Sequence, residues 1–146
     1  MTTQRYSYLL VSLQFIFIAI LLFHHGMHLP KPLPFFIIVL GSGVGIYAMV
    51  HNQLGNFNIT PEIKHNSTLI TTGAYRYIRH PMYFSVLLMM LGIVLSKFGV
   101  FSIFIYSLLV LTLFMKAKKE EALWMAHSNE YQQYMQKTKR MIPFIL

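Results

Sequence analysis

The chain has 146 residues, of which 55% are hydrophobic and only 11% charged, whereas soluble domains use roughly 25% charged residues. This composition excludes an ordinary soluble domain and indicates an integral membrane protein. The net charge of +8 suits anionic lipid headgroups better than nucleic acid, and the absence of cysteine excludes disulfides, thiolate nucleophiles and cysteine-ligated zinc.

Four apolar runs predict an all-α protein with about four transmembrane helices. Residues 6–23 and 33–50 carry no charge and have the length of a membrane-spanning helix, about 20 residues. Residues 82–96 and 100–115 are shorter, and a tight corner at 97–99 joins them. We therefore expect a helical hairpin, whose ends Tyr77, Ile78 and snorkelling lysines complete.

The pattern of charges predicts how these helices are oriented. All lysines and arginines except Lys31 and Lys97 lie in the N-terminus, the connection between spans two and three, or the tail. The positive-inside bias places these segments, and both termini, in the cytoplasm. We expect one membrane domain over 1–146, comprising two spans (1–50), a cytoplasmic connection (51–81), the hairpin (82–115) and a cytoplasmic helical segment (116–146).

Two features near the first two spans have simple interpretations. Histidines, not a small-residue cleavage site, follow the first run, so we expect a retained helix and not a signal peptide. His24, His25 and His28 lie near no carboxylate, which favours an interfacial loop over a metal site. GSGVG at 41–45 opens no Rossmann unit and predicts close helix packing, in this chain or between copies.

Residues 75–85 read YRYIRHPMYFS and place polar chemistry at the start of span three. Pro81 is expected to begin the helix and to hold His80 extended before it. No Ser, Thr, Asp or Asn caps this start, so the amides of residues 82–84 are available to an anion, beside the planar fork of Arg79. Alternatively, Arg76 and Arg79 hold lipid phosphates within an aromatic belt.

The tail carries a second set of polar and aromatic residues. On a helix they form one stripe, which a break at Ser128 and Asn129 would split into facing surfaces: Glu120, Trp124, His127, Tyr131 and Tyr134. Because Glu120 and Glu121 point about 100° apart, at most one faces a given pocket. The alternative is an interfacial helix whose lysines at 116 and 118 pair with these glutamates at the surface.

Together, the two stretches resemble the isoprenylcysteine carboxyl methyltransferase and phospholipid methyltransferase superfamily of integral membrane enzymes. The resemblance covers about residues 70–146. It rests on RHPMY at 79–83, the hairpin, the paired glutamates, EYQQY at 130–134 and PFI at 143–145. Ser85 and Asn129 stand where the family usually has glycine.

The resemblance implies methyl transfer from S-adenosylmethionine to a lipophilic carboxylate or amine that arrives from the bilayer at the cytoplasmic membrane face. By resemblance, Arg79 and Glu121 serve the acceptor head group as catalytic residues. The residues implied for the cofactor are His80, Pro81, Met82, Tyr83, Glu120 and Tyr131. No metal and no nucleic-acid partner is expected.

Two other functions fit parts of the sequence. Membrane sterol reductases have a similar C-terminal half and bind NADPH, but their additional helices have no counterpart here. A non-catalytic four-span protein would use its basic face to bind anionic lipids and its aromatic residues as anchors.

Overall fold

The computed structural model describes residues 3–26, 30–52, 59–62 and 67–143. The described residues form five α-helices and a single 3-10 turn at Gly73–Arg76, with one isolated parallel bridge between Ile78 and Lys139. In chain order the helices are α1 (Thr3–His25), α2 (Pro32–His51), α3 (Pro81–Ser96), α4 (Val100–His127) and α5 (Asn129–Lys137). The prediction of an all-α fold is confirmed.

Three of these helices, α1, α2 and α4, are long and apolar enough to cross a membrane. The fourth predicted span, α3, is apolar but has only 16 residues. At 1.5 Å per residue it is about 24 Å long, less than the hydrocarbon core of about 30 Å. By length and composition the described helices therefore supply three candidate spans, and the cytoplasmic placement of the termini stays a prediction.

The start of α3 follows from Pro81, as the sequence predicts. His80 precedes it with φ −124° and ψ 61°, outside the helical region, and makes no side-chain cap. Tyr77 and Ile78 do not extend α3, contrary to our expectation. The helix begins at Pro81, because a proline disfavours helical geometry in the residue before it. The backbone of Tyr77 and Ile78 instead pairs with residue 139. The corner at 97–99 leads directly into α4.

Small residues bring α2 and α3 into close contact. A Cβ added at Gly41 would lie 2.8 Å from the Met89 amide nitrogen, and one at Gly45 would lie 2.5 Å from the Ser85 hydroxyl. This confirms that GSGVG allows close helix packing. The face that Gly41 and Gly45 could have offered to a second copy is covered by α3.

Replacing Gly41 with alanine is expected to lower the free energy of unfolding by about 1–3 kcal/mol, because the new methyl group meets backbone that cannot move aside easily. Gly43 is the matched control on the same helix, since a Cβ there has no neighbour within 4 Å. Gly43→Ala should be neutral or slightly stabilising. Thermal unfolding in detergent micelles measures both, and equal effects would contradict the packing explanation.

Helix α1 packs along α4 and brings polar groups into an otherwise apolar contact. The core between α1, α3 and α4 includes Leu21, Leu87, Leu109 and Leu113. Beside it, the Lys116 ammonium donates to the Gln14 carboxamide oxygen at 2.6 Å. The polar residues of α1 thus lie beside the part of α4 that continues toward the paired glutamates.

Candidate active site

A short backbone pairing joins the two stretches that the sequence singles out. The amide of Arg79 donates to the Lys139 carbonyl at 2.8 Å, and that of His80 donates to the Arg140 carbonyl at 2.9 Å. In return, the Lys139 amide donates to the Tyr77 carbonyl at 3.1 Å. The segment after α5 is therefore fixed beside the residues that precede α3.

Glu121 is a buried carboxylate shared by two arginines. Arg79 Nε donates to its Oε1 at 2.7 Å, and Arg140 donates to its Oε2 from Nε at 2.9 Å and from Nη2 at 2.7 Å. The side chains of Glu121 and Arg79 are only 3% and 8% exposed. Arg79 Nη1 also donates to the Thr138 carbonyl at 2.5 Å, so Glu121 and the backbone after α5 together fix this guanidinium.

Glu120 is held by a different pair of residues. The Tyr83 hydroxyl donates to Glu120 Oε1 at 2.5 Å, and His80 Nδ1 lies 3.2 Å from Oε2. The His80 and Tyr83 rings stack with centroids 5.3 Å apart. His80 Nε2 lies 3.4 Å from Glu121 Oε1 but has no hydrogen-bond partner among the described residues. His80 thus bridges the two carboxylates.

The carboxylates also set the protonation of His80, whose side chain is 7% exposed. Burial alone would lower its pKa, but its contacts with Glu120 and Glu121 and their negative charge outweigh burial and raise the pKa above the usual 6.5. Burial, followed by the charge of Glu120, raises the pKa of Tyr75 to about 12. The Tyr75 hydroxyl therefore stays neutral at physiological pH.

Arg79, His80, Tyr83 and Glu120 line a cavity with a volume of about 360 Å³. The indole of Trp124 stacks on Tyr131, with ring centroids 5.8 Å apart, and Tyr131 meets Tyr134 edge-on at 5.7 Å. The polar lining residues include Gln14, Glu62, Arg79, His80, Lys116 and Glu120, the aromatic ones Tyr75, Tyr83, Trp124, Tyr131 and Tyr134, and the apolar ones Phe15, Ile18 and Val86. The lining thus combines polar and aromatic groups with apolar side chains that suit a hydrocarbon chain.

A family model described as phospholipid methyltransferase matches residues 34–132, about two thirds of the chain. The chain belongs to the phospholipid methyltransferase family. The family indicates a membrane methyltransferase with a lipid substrate. The match extends farther toward the N-terminus than the resemblance over 70–146, because it begins within α2, and it ends before the PFI motif, which lies partly outside the described residues. No curated protein matches the chain.

In this member of the family, the cavity collects nearly all of the residues that the sequence proposes for a site. Its lining includes Arg79, His80, Pro81, Met82, Tyr83, Glu120 and Tyr131. Glu121 is not among the lining residues and lies behind Arg79 and His80. Of the paired glutamates it is therefore Glu120 that faces the cavity.

The tail of the enzyme breaks where the sequence predicts. Helix α4 ends at His127, and the Ser128 hydroxyl caps α5 by accepting from the Glu130 amide at 3.3 Å. The break carries Trp124 and Tyr131 into contact across the two helices. His127 is exposed and is not among the residues that line the cavity, although its ring meets Trp124 edge-on with centroids 5.9 Å apart.

The anion prediction is wrong for two of its three amides, and one alternative interpretation is wrong. The amides of Tyr83 and Phe84 are not available to an anion, because both donate to the His80 carbonyl at 3.1 Å. Surface pairing of lysines with the two glutamates is also wrong. Lys116 is buried against Gln14, and the glutamates bind residues from outside α4.

The two histidines at the end of α1 contact protein groups. His25 Nδ1 lies 2.9 Å from the Gly26 carbonyl oxygen, and the His24 ring packs on Phe101. His28 lies outside the described residues. No group of three or more potential metal ligands occurs within the described ranges.

Gln14 and Lys116 are two buried polar cavity residues that sequence reasoning did not assign to the site. A signal for Gln14 was present, because it is the one carboxamide in the apolar run 6–23, and a polar residue within such a run usually faces the protein interior. Lys116 had no comparable signal, since it stands with two other lysines, at 118 and 119, after the apolar run 100–115.

Proposed function

We propose that this protein transfers a methyl group from S-adenosylmethionine to a lipophilic acceptor with an amine or carboxylate head group, at the cytoplasmic membrane face. The observation that carries the proposal is the cavity, whose lining combines the Glu120 carboxylate and stacked aromatic rings with apolar side chains. A cofactor with an ammonium and a sulfonium fits the carboxylate and the rings, and an acyl or prenyl chain fits the apolar side chains.

The cofactor-binding residues follow from this chemistry. Glu120 can accept from an ammonium, and the rings of Tyr83, Trp124 and Tyr131 can attract a positive charge through their faces. S-adenosylmethionine, when bound, supplies a methyl group activated by attachment to a positively charged sulfur. The protein's own contribution is to orient the reactants and to exclude water.

Arg79 is the residue we propose to orient the acceptor. Its Nη2 group makes no hydrogen bond with a described residue, and the side chain lines the cavity. Both oxygens of Glu121 are occupied by arginines. We therefore propose Glu121 as a positioning residue that holds Arg79, instead of a group that touches the acceptor.

An amine acceptor has to lose a proton before or during methyl transfer. Glu120 is the carboxylate of the pair that lines the cavity, so we propose it as the group that takes this proton. Its contacts with the Tyr83 hydroxyl and His80 fix its orientation. A carboxylate acceptor is already an anion and requires no base.

Calorimetric titration of the detergent-purified protein with S-adenosylhomocysteine tests the proposal, with NADPH titrated in parallel. We expect saturable binding of S-adenosylhomocysteine alone. Glu120→Gln should weaken it about tenfold or more, since it removes a charged hydrogen-bond partner. Glu130→Gln, an exposed change on α5, is the matched control.

Each other outcome has a distinct meaning. Binding of NADPH alone would favour a reductase related to the sterol reductases. Binding of neither ligand by folded protein would favour a non-catalytic lipid-binding role. A methyltransferase assay with radiolabelled cofactor and extracted membrane lipids then identifies the acceptor.

A further inference from the structure

Lys116 is a lysine buried in the wall of the cavity. The residue is only 2% exposed. Its Nζ donates to Gln14 Oε1 at 2.6 Å and to the Ile59 carbonyl at 3.3 Å, and it lies 5.0 Å from the centroid of the Tyr83 ring. The ammonium is thus enclosed by α1, α3 and the segment before the 3-10 turn.

The contacts of Lys116 leave its charge without a carboxylate. Its two hydrogen-bond acceptors are a carboxamide and a carbonyl, and it forms no ion pair with a described acidic residue. Glu120, one helical turn away, attracts the ammonium at longer range, but its own oxygens are held by Tyr83 and His80. Buried charges in proteins are normally paired with an opposite charge. Arg79 and Arg140 follow this rule through Glu121, whereas Lys116 does not.

Lys116 and Gln14 also retain hydrogen-bond donors. A lysine ammonium has three N–H groups, and the described residues accept two of them. The Gln14 carboxamide receives the lysine through its oxygen, so its NH₂ group remains, and it makes no hydrogen bond with a described residue. Both side chains line the cavity. The Lys116 ammonium, which has no carboxylate in contact with it among the described residues, therefore lies beside the remaining N–H donors of Lys116 and Gln14.

We propose that Lys116 and Gln14 form an oxyanion subsite, which binds a carboxylate or phosphate group of a molecule in the cavity. Lys116 supplies the charge, and Gln14 fixes the ammonium and adds amide donors. The identity of the molecule that carries the anion rests on the proposed function. The anion is either the carboxylate of the cofactor or the phosphate of the acceptor lipid. In either case α1, which lies outside the family match at 34–132, completes the site.

The test compares ligands that differ only in the anionic group. Lys116→Met is titrated with S-adenosylhomocysteine and with its decarboxylated analogue, and separately with a monoacylglycerol phosphate and the monoacylglycerol of the same chain. We expect about tenfold or greater loss of affinity for one anionic ligand, with the affinity for its anion-free counterpart changed less than about twofold. Lys118→Met, at an exposed position of the same helix, should change none of them.

The pair of ligands whose relative affinity changes in Lys116→Met identifies the source of the anion. Selective loss of S-adenosylhomocysteine assigns the subsite to the cofactor carboxylate, and selective loss of the lipid phosphate assigns it to the acceptor. Equal loss within both pairs, or no loss in either, would show that Lys116 is structural and would overturn the inference. If the wild-type protein does not bind S-adenosylhomocysteine, the proposed function fails, and the lipid pair alone decides the subsite.

A second variant keeps the lysine and so does not depend on its removal. Gln14→Glu places a carboxylate on the Lys116 ammonium, where it competes with the ligand's anion. The same anionic ligand should again lose affinity selectively. A variant that binds this ligand as tightly as the wild type would contradict the subsite.

Discussion

Glu121→Gln is expected to lower the free energy of unfolding by about 3–5 kcal/mol, the usual cost of removing one partner from a buried ion pair. The glutamine has the same shape but leaves the charges of Arg79 and Arg140 uncompensated in a site that is largely inaccessible to solvent. Because the glutamine offers a single oxygen to two guanidinium groups, Arg79 is no longer held firmly, and methyl transfer should also be lost. Thermal unfolding in detergent and a methyl-transfer assay measure the two effects.

A triple variant separates the two consequences. Replacing Arg79, Glu121 and Arg140 together with methionine removes every charge of the cluster, and such apolar replacements are often neutral or stabilising. We expect stability to recover toward the wild-type value while activity stays absent. If Glu121→Gln unfolds at the wild-type temperature, the buried ion pairs do not stabilise the fold as we infer.

Ending the chain after His127 is expected to abolish binding of S-adenosylhomocysteine. This change leaves α4 intact, with Lys116 and Glu120, but removes α5 and the segment that pairs with residues 77–80. The cavity loses the aromatic rings of Tyr131 and Tyr134 from its lining. Since each lost stacking or charged contact contributes roughly 1–3 kcal/mol, we expect affinity to fall more than 100-fold.

The truncated protein should still insert its apolar helices, because they lie before residue 128. The chain contains no cysteine, so a single Lys97→Cys label reports the placement of the α3–α4 corner without background. Wild-type and truncated proteins should label alike. Binding that survives the truncation would show that the cavity forms without α5.

The helices could be predicted because their limits depend on local chemistry. The apolar runs located α1, α2 and the first part of α4, Pro81 marked the start of α3, and Ser128 marked the break before α5. Helix α4 continues to His127, beyond the apolar run 100–115. The pairing of residues 77–80 with 139–140 could not be predicted in this way. It involves a few backbone hydrogen bonds between distant segments and leaves no alternating pattern of apolar residues.

The residues of the candidate site could likewise be predicted only where local spacing determines their position. Helical spacing grouped Glu120, Trp124 and Tyr131, but whether Glu120 or Glu121 faces the cavity depends on the rotation of α4, which packing against other helices sets. The alternative interpretation, in which Lys116 pairs with a glutamate at the surface, was wrong for the same reason. Gln14, 102 residues away, is its actual partner, and spacing along a single helix cannot reveal such a contact.

The shortness of α3 links the site to the thickness of the membrane. If α3 crosses the bilayer, its 16 residues fall short of the hydrocarbon core by about 6 Å, so the bilayer thins around it or its first turn lies below the headgroups. His80 directly precedes that turn, and either adjustment brings the cavity level with lipid headgroups. The acyl-chain length of the surrounding lipids would then govern how easily a lipid head group reaches Arg79.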